Sequence, residues 1–290
     1  AEMWVTDGTT AGTKMVKEIN ESFSAYPQIR TIYKDKMILT ATDGIHGQEL
    51  WVSDGTDDGT LLLKDIYKRT EHTNPSQFTA VGDSLYFIAH IASIPYLYKS
   101  DGKTVEQTTQ VFDSIETHGL LRPIQLIEFD DELFFTGFNE DLGTELWKTK
   151  GSHSTTELVK DVDIGAANSN IEFLTKMNGS LYFKARNSIT SQDNLYKTQG
   201  TEASTVLVKS LWGISESSFI RNMVVIDDLL FYFLETPEEG CELYVSDGTS
   251  EGSKMVLDIC PGQCSGIQSI FHMFVHNSVL YFSGNDPAHG

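Results

Sequence analysis

Gln48-Glu49-Leu50-Trp51-Val52-Ser53-Asp54-Gly55-Thr56 decides the fold, because the chain keeps returning to it. The first residues already read Ala1-Glu2-Met3-Trp4-Val5-Thr6-Asp7-Gly8-Thr9, and the phrase recurs as Cys241-Glu242-Leu243-Tyr244-Val245-Ser246-Asp247-Gly248-Thr249. Worn copies begin near Tyr96, Thr144 and Asp193, where Leu97-Tyr98, Leu146-Trp147 and Leu195-Tyr196 hold the place of Leu50-Trp51. Starts at 1, 48, 96, 144, 193 and 241 set a period of 47 to 49 residues, so six copies fill the 290-residue chain. Self-similarity at such a period marks a repeat architecture.

The order inside each copy is constant. A Leu-Trp or Leu-Tyr strand runs into an Asp-Gly turn, and a second strand follows, as in Thr60–Ile66 or Thr156–Val162. After a variable crossover comes a third strand, such as Gln77–Val81. A two-residue polar turn (Gly82-Asp83, Asn178-Gly179, Asp227-Asp228) leads to a fourth, such as Leu85-Tyr86-Phe87. Four short strands joined by hairpin chemistry form one antiparallel sheet, and no stretch combines helical periodicity with start and stop signals. The reading is all-β: a six-bladed β-propeller with four antiparallel strands per blade, one domain over residues 1–290.

The phase of the repeat predicts how the ring closes. The chain begins with the two outer strands of a blade, about residues 1–19, and ends with two inner ones, about 270–282. Asp286-Pro287-Ala288-His289-Gly290 matches Asp43-Gly44-Ile45-His46-Gly47, which runs directly into Gln48. Gly290 therefore stands to Ala1 as Gly47 stands to Gln48. One blade assembled from both ends leaves no raw sheet edge.

These copies resemble the ELWxSDGT-type repeat, whose long form reads roughly Leu-Tyr-Phe-x-Ala-x-Asp-Gly-x-His-Gly-x-Glu-Leu-Trp-x-Ser-Asp-Gly-Thr-x-x-Gly-Thr-x-Leu-Val-Lys-Asp-Ile-x-Pro-Gly. Residues 37–66 follow it closely, and residues 241–262 do so down to Asp258-Ile259-Cys260-Pro261-Gly262. The copies at 96–143, 144–192 and 193–240 have lost parts of it, with Lys150 and Gln199 in place of the turn Asp and no obvious repair. The resemblance implies a propeller-forming repeat of mostly secreted or surface proteins and no single activity.

Composition narrows the function. Apolar residues make up 40% of the chain and aromatic ones 11%, enough for a packed core. The formal net charge is −20, from 41 acidic and 21 basic residues, and the basic ones are scattered singly. That balance opposes nucleic acid and anionic lipid. No apolar run reaches the 18 or so residues of a membrane-spanning helix, so membrane insertion is not expected. The chain opens at Ala1 without an initiator Met or a visible signal peptide, which reads as a processed or trimmed terminus.

Cys241, Cys260 and Cys264 lie within 24 residues of one another, with spacing that is poor for zinc. One disulfide in an oxidising compartment is expected, Cys241 with Cys260, or Cys241 with Cys264, leaving one thiol over; three buried thiols is the competing reading. Sequons at Asn20 and Asn178 are compatible with secretion and N-glycosylation.

Several motifs invite sharper readings. The aromatics at Trp4, Trp51, Tyr98, Trp147, Tyr196 and Tyr244 could stack on sugars, but one position kept in every copy reads as packing between blades. Asp54-Gly55-Thr56-Asp57-Asp58 suggests calcium, but the turn itself accounts for Asp and Gly, so no cofactor is expected. His46 and His289 occupy equivalent loops and read as loop-fixing. No phosphate loop, zinc-protease motif or nucleophile elbow is present.

What varies between copies is the set of loops after the fourth strand (89–95, 138–143, 186–193, 236–240) and the crossovers (67–76, 113–122, 163–170, 210–218). Variable loops on a rigid scaffold are where binding usually sits. The leading expectation is a secreted or extracellular recognition module that takes a glycan, a protein or a small molecule on that loop face, with Trp212 either an anchor there or a small satellite packing residue. The rival is an enzyme, hydrolase or oxidoreductase, with its pocket at the mouth of a central channel. Arg30, Gln77, Gln125, Glu172, Arg221 and His272 are the polar candidates from the innermost strands, and one slip in register reverses their facing.

Overall fold

The computed structural model describes the chain except residues 69–70, 113–120, 189–191, 212–217, 271 and 289–290 and the side chain of Asn187. Trp212 and His289 lie outside the described residues. Among the described residues, twenty-four strands carry the fold, with one short 3-10 turn at His153–Thr155. The first hairpin pairs β1 (Met3–Val5) with β2 (Lys14–Lys17). Five four-stranded antiparallel sheets follow. They are β3 (Gln28–Tyr33), β4 (Lys36–Ala41), β5 (Glu49–Ser53) and β6 (Leu61–Lys64); then β7 (Ser76–Val81), β8 (Ser84–Ile91), β9 (Ile94–Ser100) and β10 (Thr109–Gln110). The third has β11 (Arg122–Phe129), β12 (Glu132–Asn139), β13 (Gly143–Thr149) and β14 (Glu157–Lys160). The fourth has β15 (Glu172–Met177), β16 (Ser180–Asn187), β17 (Gln192–Thr198) and β18 (Val206–Lys209). The fifth has β19 (Phe219–Ile226), β20 (Leu229–Thr236), β21 (Gly240–Ser246) and β22 (Lys254–Leu257). A last hairpin joins β23 (Met273–His276) to β24 (Val279–Phe282). Two compact units result, Ala1–Gly137 with Lys148–Glu157 and Phe138–Trp147 with Leu158–Gly290.

Local chemistry sets these strands. The hairpin turns Lys34-Asp35, Ala92-Ser93, Asp130-Asp131, Asn178-Gly179 and Asn277-Ser278 place both central residues at positive φ, the backbone twist that suits a two-residue hairpin. Within the first unit β3, β7 and β11 lie side by side, and within the second β15, β19 and β23 do. They are the third strands of their copies. Alternate side chains pack between neighbouring sheets: Ile38, Leu50 and Leu63 meet Leu85, Phe87 and Tyr98, and Leu195 and Val208 meet Leu230 and Tyr232. Each such fully buried side chain contributes about 1.5–3 kcal/mol.

The repeated aromatic behaves as packing at Trp51, Tyr98 and Trp147, which are 6%, 5% and 2% exposed. Trp4 departs from this at 62%. Its hairpin has no third and fourth strand of its own sheet beside it, so one face of the indole meets solvent.

The Asp-Gly-Thr turns are closed hydrogen-bond knots. Asp54 Oδ1 accepts from the Thr56 N–H at 2.9 Å and from its hydroxyl at 2.6 Å, and Asp7 and Asp247 repeat the arrangement. Gly12, Gly59 and Gly252, five residues after each Asp, are required because a Cβ there would strike the carboxylate. Lys150 and Gln199 are repaired after all, at that same fifth position. Thr155 Oγ1 accepts the N–H of Lys150 at 3.3 Å and of Ser152 at 3.2 Å, and Ser204 Oγ accepts those of Gln199 and Thr201 at 3.1 Å. A hydroxyl on residue n+5 thus replaces a carboxylate on residue n. Thr155→Ala should cost about 1–2 kcal/mol, as loss of a turn acceptor does. Restoring Asp at 150 should rescue it only when residue 155 is Gly, which thermal melts of the single and double variants will read.

Two expectations about single residues are corrected. The disulfide joins Cys260 to Cys264, whose Cα atoms are 5.3 Å apart across one tight loop, and Cys241 is a buried thiol. Cys241 instead faces the core with Phe233, Leu243 and Ile267. Asn20 is only 4% exposed, and its Nδ2 donates to Ser24 O and Thr42 O while Oδ1 accepts the Ser22 and Phe23 N–H groups. Its amide holds two loops together and is not presented for glycosylation in the folded chain. Asn178 sits exposed on a hairpin turn.

Candidate functional site

Three copies bury the Glu that precedes the Leu-Trp or Leu-Tyr pair, and that carboxylate fastens the crossover. Glu49 Oε2 accepts the Ile66 N–H at 3.1 Å and the Thr73 hydroxyl at 2.9 Å. Glu145 takes the Val162 N–H and the Ser169 hydroxyl, and Glu242 takes the N–H groups of Ile259, Cys260 and Gly266. In the fourth sheet Asn194 substitutes, accepting from Leu211 at 3.1 Å. The anchored residues also link neighbouring sheets: Thr73 N–H bonds Gln48 O while Thr73 O receives the His90 N–H, and Ser169 does the same between Thr144 and Arg186.

Burial is the main cause that pushes Glu49 and Glu145 up to about 7, with Asp65 and Asp161 adding repulsion and the hydrogen bonds opposing it. Glu49 Oε1 is buried with no hydrogen-bond partner, so a proton there is favoured. The unfolded chain releases these protons near the ordinary 4.5 and the folded chain near 7, so the folded state binds more protons in between. This contribution is complete below about pH 4.5 and lost as pH rises through 7. His46, raised mainly by its hydrogen bond to Asp43, acts in the same direction. Stability should therefore fall between pH 5 and 8, by on the order of 2–3 kcal/mol for each Glu. Glu49→Gln should flatten that slope in denaturant titrations. A slope unchanged by the substitution would place the cause elsewhere.

Against this constant frame, one interior position changes chemistry from sheet to sheet. It is the x of Leu-Tyr-Phe-x-Ala: Thr40, Ile88, Thr136, Lys184 and Phe233, all at most 8% exposed. Lys184 is the charged member. Its ammonium lies 3.1 Å from Asp193, itself 1% exposed, and 2.9 Å from Glu172 on the paired strand. Asp193 also accepts the Ile220 N–H at 3.2 Å. Beside it the Arg221 guanidinium lies 2.9 Å from Glu235, and both Arg221 and Arg186 sit over the Phe219 ring, at 4.8 and 5.7 Å. Two guanidiniums thus lie over Phe219, while the Lys184 ammonium lies 5.9 Å from the centre of the Phe173 ring. The network is neutral, and breaking one partner of its buried pair would leave an uncompensated charge.

The structure separates the six inner-strand candidates. Glu172 and Arg221 hold one register position, directly opposite Lys184 and Phe233. Gln77 sits one position further on, in a β-bulge at positive φ, as Phe173 and Asn222 do in their strands. Arg30 is the extra residue of the bulge in β3. The bulge shifts the pleat within each strand, which is why spacing alone did not align them. Arg30 Nε donates to Thr40 Oγ1 at 3.2 Å, and Gln77 Nε2 donates to Ile124 O at 2.6 Å, tying β7 to β11. Gln125 is half-buried on β11. His272 is exposed, bonded to Ser269, and lines a shallow pocket of about 390 Å³ with Met273, Phe274 and Tyr281. A second pocket, about 360 Å³, lies in the first unit between residues 18–23 and 43–45.

Sequence reasoning missed Lys184, Asp193 and Phe219. The available signal was a Lys in the x position of a strand otherwise filled by Thr, Ile or Phe.

Repeated four-stranded antiparallel sheets, with their third strands side by side within each unit, define an all-β, propeller-like protein. Its fold is similar to that of oligopeptidase B from Leishmania major, at 12% identity and TM-score 0.53 over 86% of this chain and 36% of that one. Prolyl oligopeptidase B from Galerina marginata is similar too, at 12% identity and TM-score 0.52 over 85% of this chain and 37% of that one. The chain thus spans little more than a third of either protein. No family model and no curated protein matches the sequence.

Proposed function

We propose that the chain is a secreted or extracellular recognition module built on a six-bladed propeller, whose loop face binds a glycan, a protein or a small molecule. The observation behind this reading is the division of labour among side chains. Those that recur are engaged in structure: the buried Glu of three copies, the Asp-Gly-Thr knot and the packed aromatic. Those that differ include the charged set of Lys184, Asp193, Glu172, Arg221 and Glu235, and variation on a constant scaffold is where binding usually sits. The Cys260–Cys264 disulfide suits an oxidising compartment.

Closure by residues 1–19 and 270–282 is part of the proposal. Trp4, Phe274 and Tyr281 are 62%, 67% and 54% exposed on the two terminal hairpins, and the repeat phase makes each hairpin the missing half of the other. The ELWxSDGT-type repeat supports the same architecture.

The test is a glycan array read together with melting on the same variants. Trp212→Ala and Arg221→Ala should lower binding while shifting the melting temperature little. Binding abolished by Thr9→Ala or Thr56→Ala, on the knot side, would mean the wrong face has been assigned. A second reading, an enzyme, draws on the buried Lys184 held between Glu172 and Asp193. Loss of turnover on a substrate panel in Lys184→Met, with affinity unchanged, would favour it.

A further inference from the structure

The pocket of about 360 Å³ in the first unit was not among the loops singled out by sequence variation. Its two walls come from the first crossover and from the loop after β4, and Asn20 joins them from beneath. The Asn20 amide bonds Thr42 O on one wall and the Ser22 and Phe23 N–H groups on the other, so the walls are held at fixed separation. Gly44, at the lip, is in contact range of that same amide and leaves no room for a Cβ without a shift. The pocket is therefore built into the fold.

Its lining has a consistent chemistry. Phe23 and Ile45 stand on the two walls at 82% and 71% exposure, a large apolar surface left to solvent. Glu18, Glu21 and Asp43 supply the charge, and no Lys or Arg lines the pocket. Asp43 is fixed by the N–H groups of Ile45 and His46 and by the His46 ring at 2.7 Å. Glu18 and Glu21 are exposed. Two apolar side chains flanking carboxylates complement a ligand with an apolar body and a positive end.

We propose that this pocket binds an organic ammonium: a small molecule with a protonated primary amine carried on an aromatic or aliphatic body. The inference rests on the recognition reading and names one ligand class for it. The apolar body lies between Phe23 and Ile45, and the ammonium is held by Glu18 and Glu21. Metal ions are disfavoured: among the described residues no group of three acidic, His or Cys side chains is placed to hold one.

Phenethylamine and its uncharged counterpart 2-phenylethanol are the probes, titrated at pH 7 and followed by NMR shifts of the Phe23 and Ile45 resonances. The amine should bind about tenfold more tightly than the alcohol, and that advantage should shrink at high salt. Glu18→Gln with Glu21→Gln should remove the advantage and leave melting unchanged, since both side chains are exposed. Phe23→Ala should weaken both probes. Equal binding of amine and alcohol, or no shift at these residues up to about 10 mM amine, a very weak affinity, overturns the proposal. If that happens while Trp212→Ala and Arg221→Ala still lose array binding, the ligand class alone is wrong. If both experiments fail, the recognition reading fails as well.

Discussion

A chain lacking residues 1–19 is expected to lose roughly 4–8 kcal/mol of stability and to aggregate. Met3, Val16 and Ile19 on the first hairpin are 6%, 7% and 6% exposed and pack on Leu39, Ala41 and Trp51 of the next sheet. Removing three such side chains forfeits about 1.5–3 kcal/mol each and opens the face of β3–β6 to water. In the closed six-bladed form the deletion also strips β24 of its neighbour, leaving Phe274 and Tyr281 on a free edge, a template for pairing between molecules. Size-exclusion chromatography and denaturant unfolding will check both effects. A truncated protein that stays monomeric with an unchanged midpoint would refute the packing argument and the closure together. Trp4→Ala isolates closure. On an open hairpin an indole 62% exposed should matter by no more than about 0.5 kcal/mol, whereas inside a completed blade its loss should cost what a buried aromatic costs.

Trp51→Ala sets that scale, with an expected loss of about 3–5 kcal/mol. The indole is 6% exposed, packs against Leu39 and Ala41, and donates Nε1–H to Ala41 O at 3.1 Å. Truncation leaves a cavity between two sheets and also deletes this hydrogen bond. Trp51→Phe keeps most of the volume and should lose only about 1–2 kcal/mol. The denaturant midpoint should move with an unchanged m-value, because the native surface is not altered elsewhere. Ligand affinity of the surviving folded protein should stay near that of the parent. A Trp51→Ala protein that melts normally but fails to bind would reassign the aromatic row to recognition.

Much of the fold was legible before any coordinate. Strand order, hairpin turns and the four-strand unit follow from local rules: positive-φ turn residues, alternation, and a phrase recurring every 47 to 49 residues. Each depends on neighbours within a few positions, so a linear reading captures it. The exposed first hairpin, too, begins at the point in the copy where the repeat phase put it.

The site was less legible. The facing of Arg30, Gln77, Gln125, Glu172, Arg221 and His272 hung on strand register, and a β-bulge in four described third strands shifts the pleat there. Lys150 and Gln199 looked like defects until Thr155 and Ser204 were seen to bond the freed N–H groups. Cys260 was paired in expectation with Cys241, which β21 turns into the core, while a tight loop returns Cys264 to it.

The sequence by itself determined that this protein is an all-β repeat of four-stranded antiparallel units, because repetition and turn chemistry are local. Only the tertiary structure decided which side chains meet: Glu49 under its crossover, Lys184 between Asp193 and Glu172, Phe219 beneath two guanidiniums. The physical reason is that strand pairing and packing bring together residues from a few to dozens of positions apart. A single extra residue in a strand then changes which of them share a face.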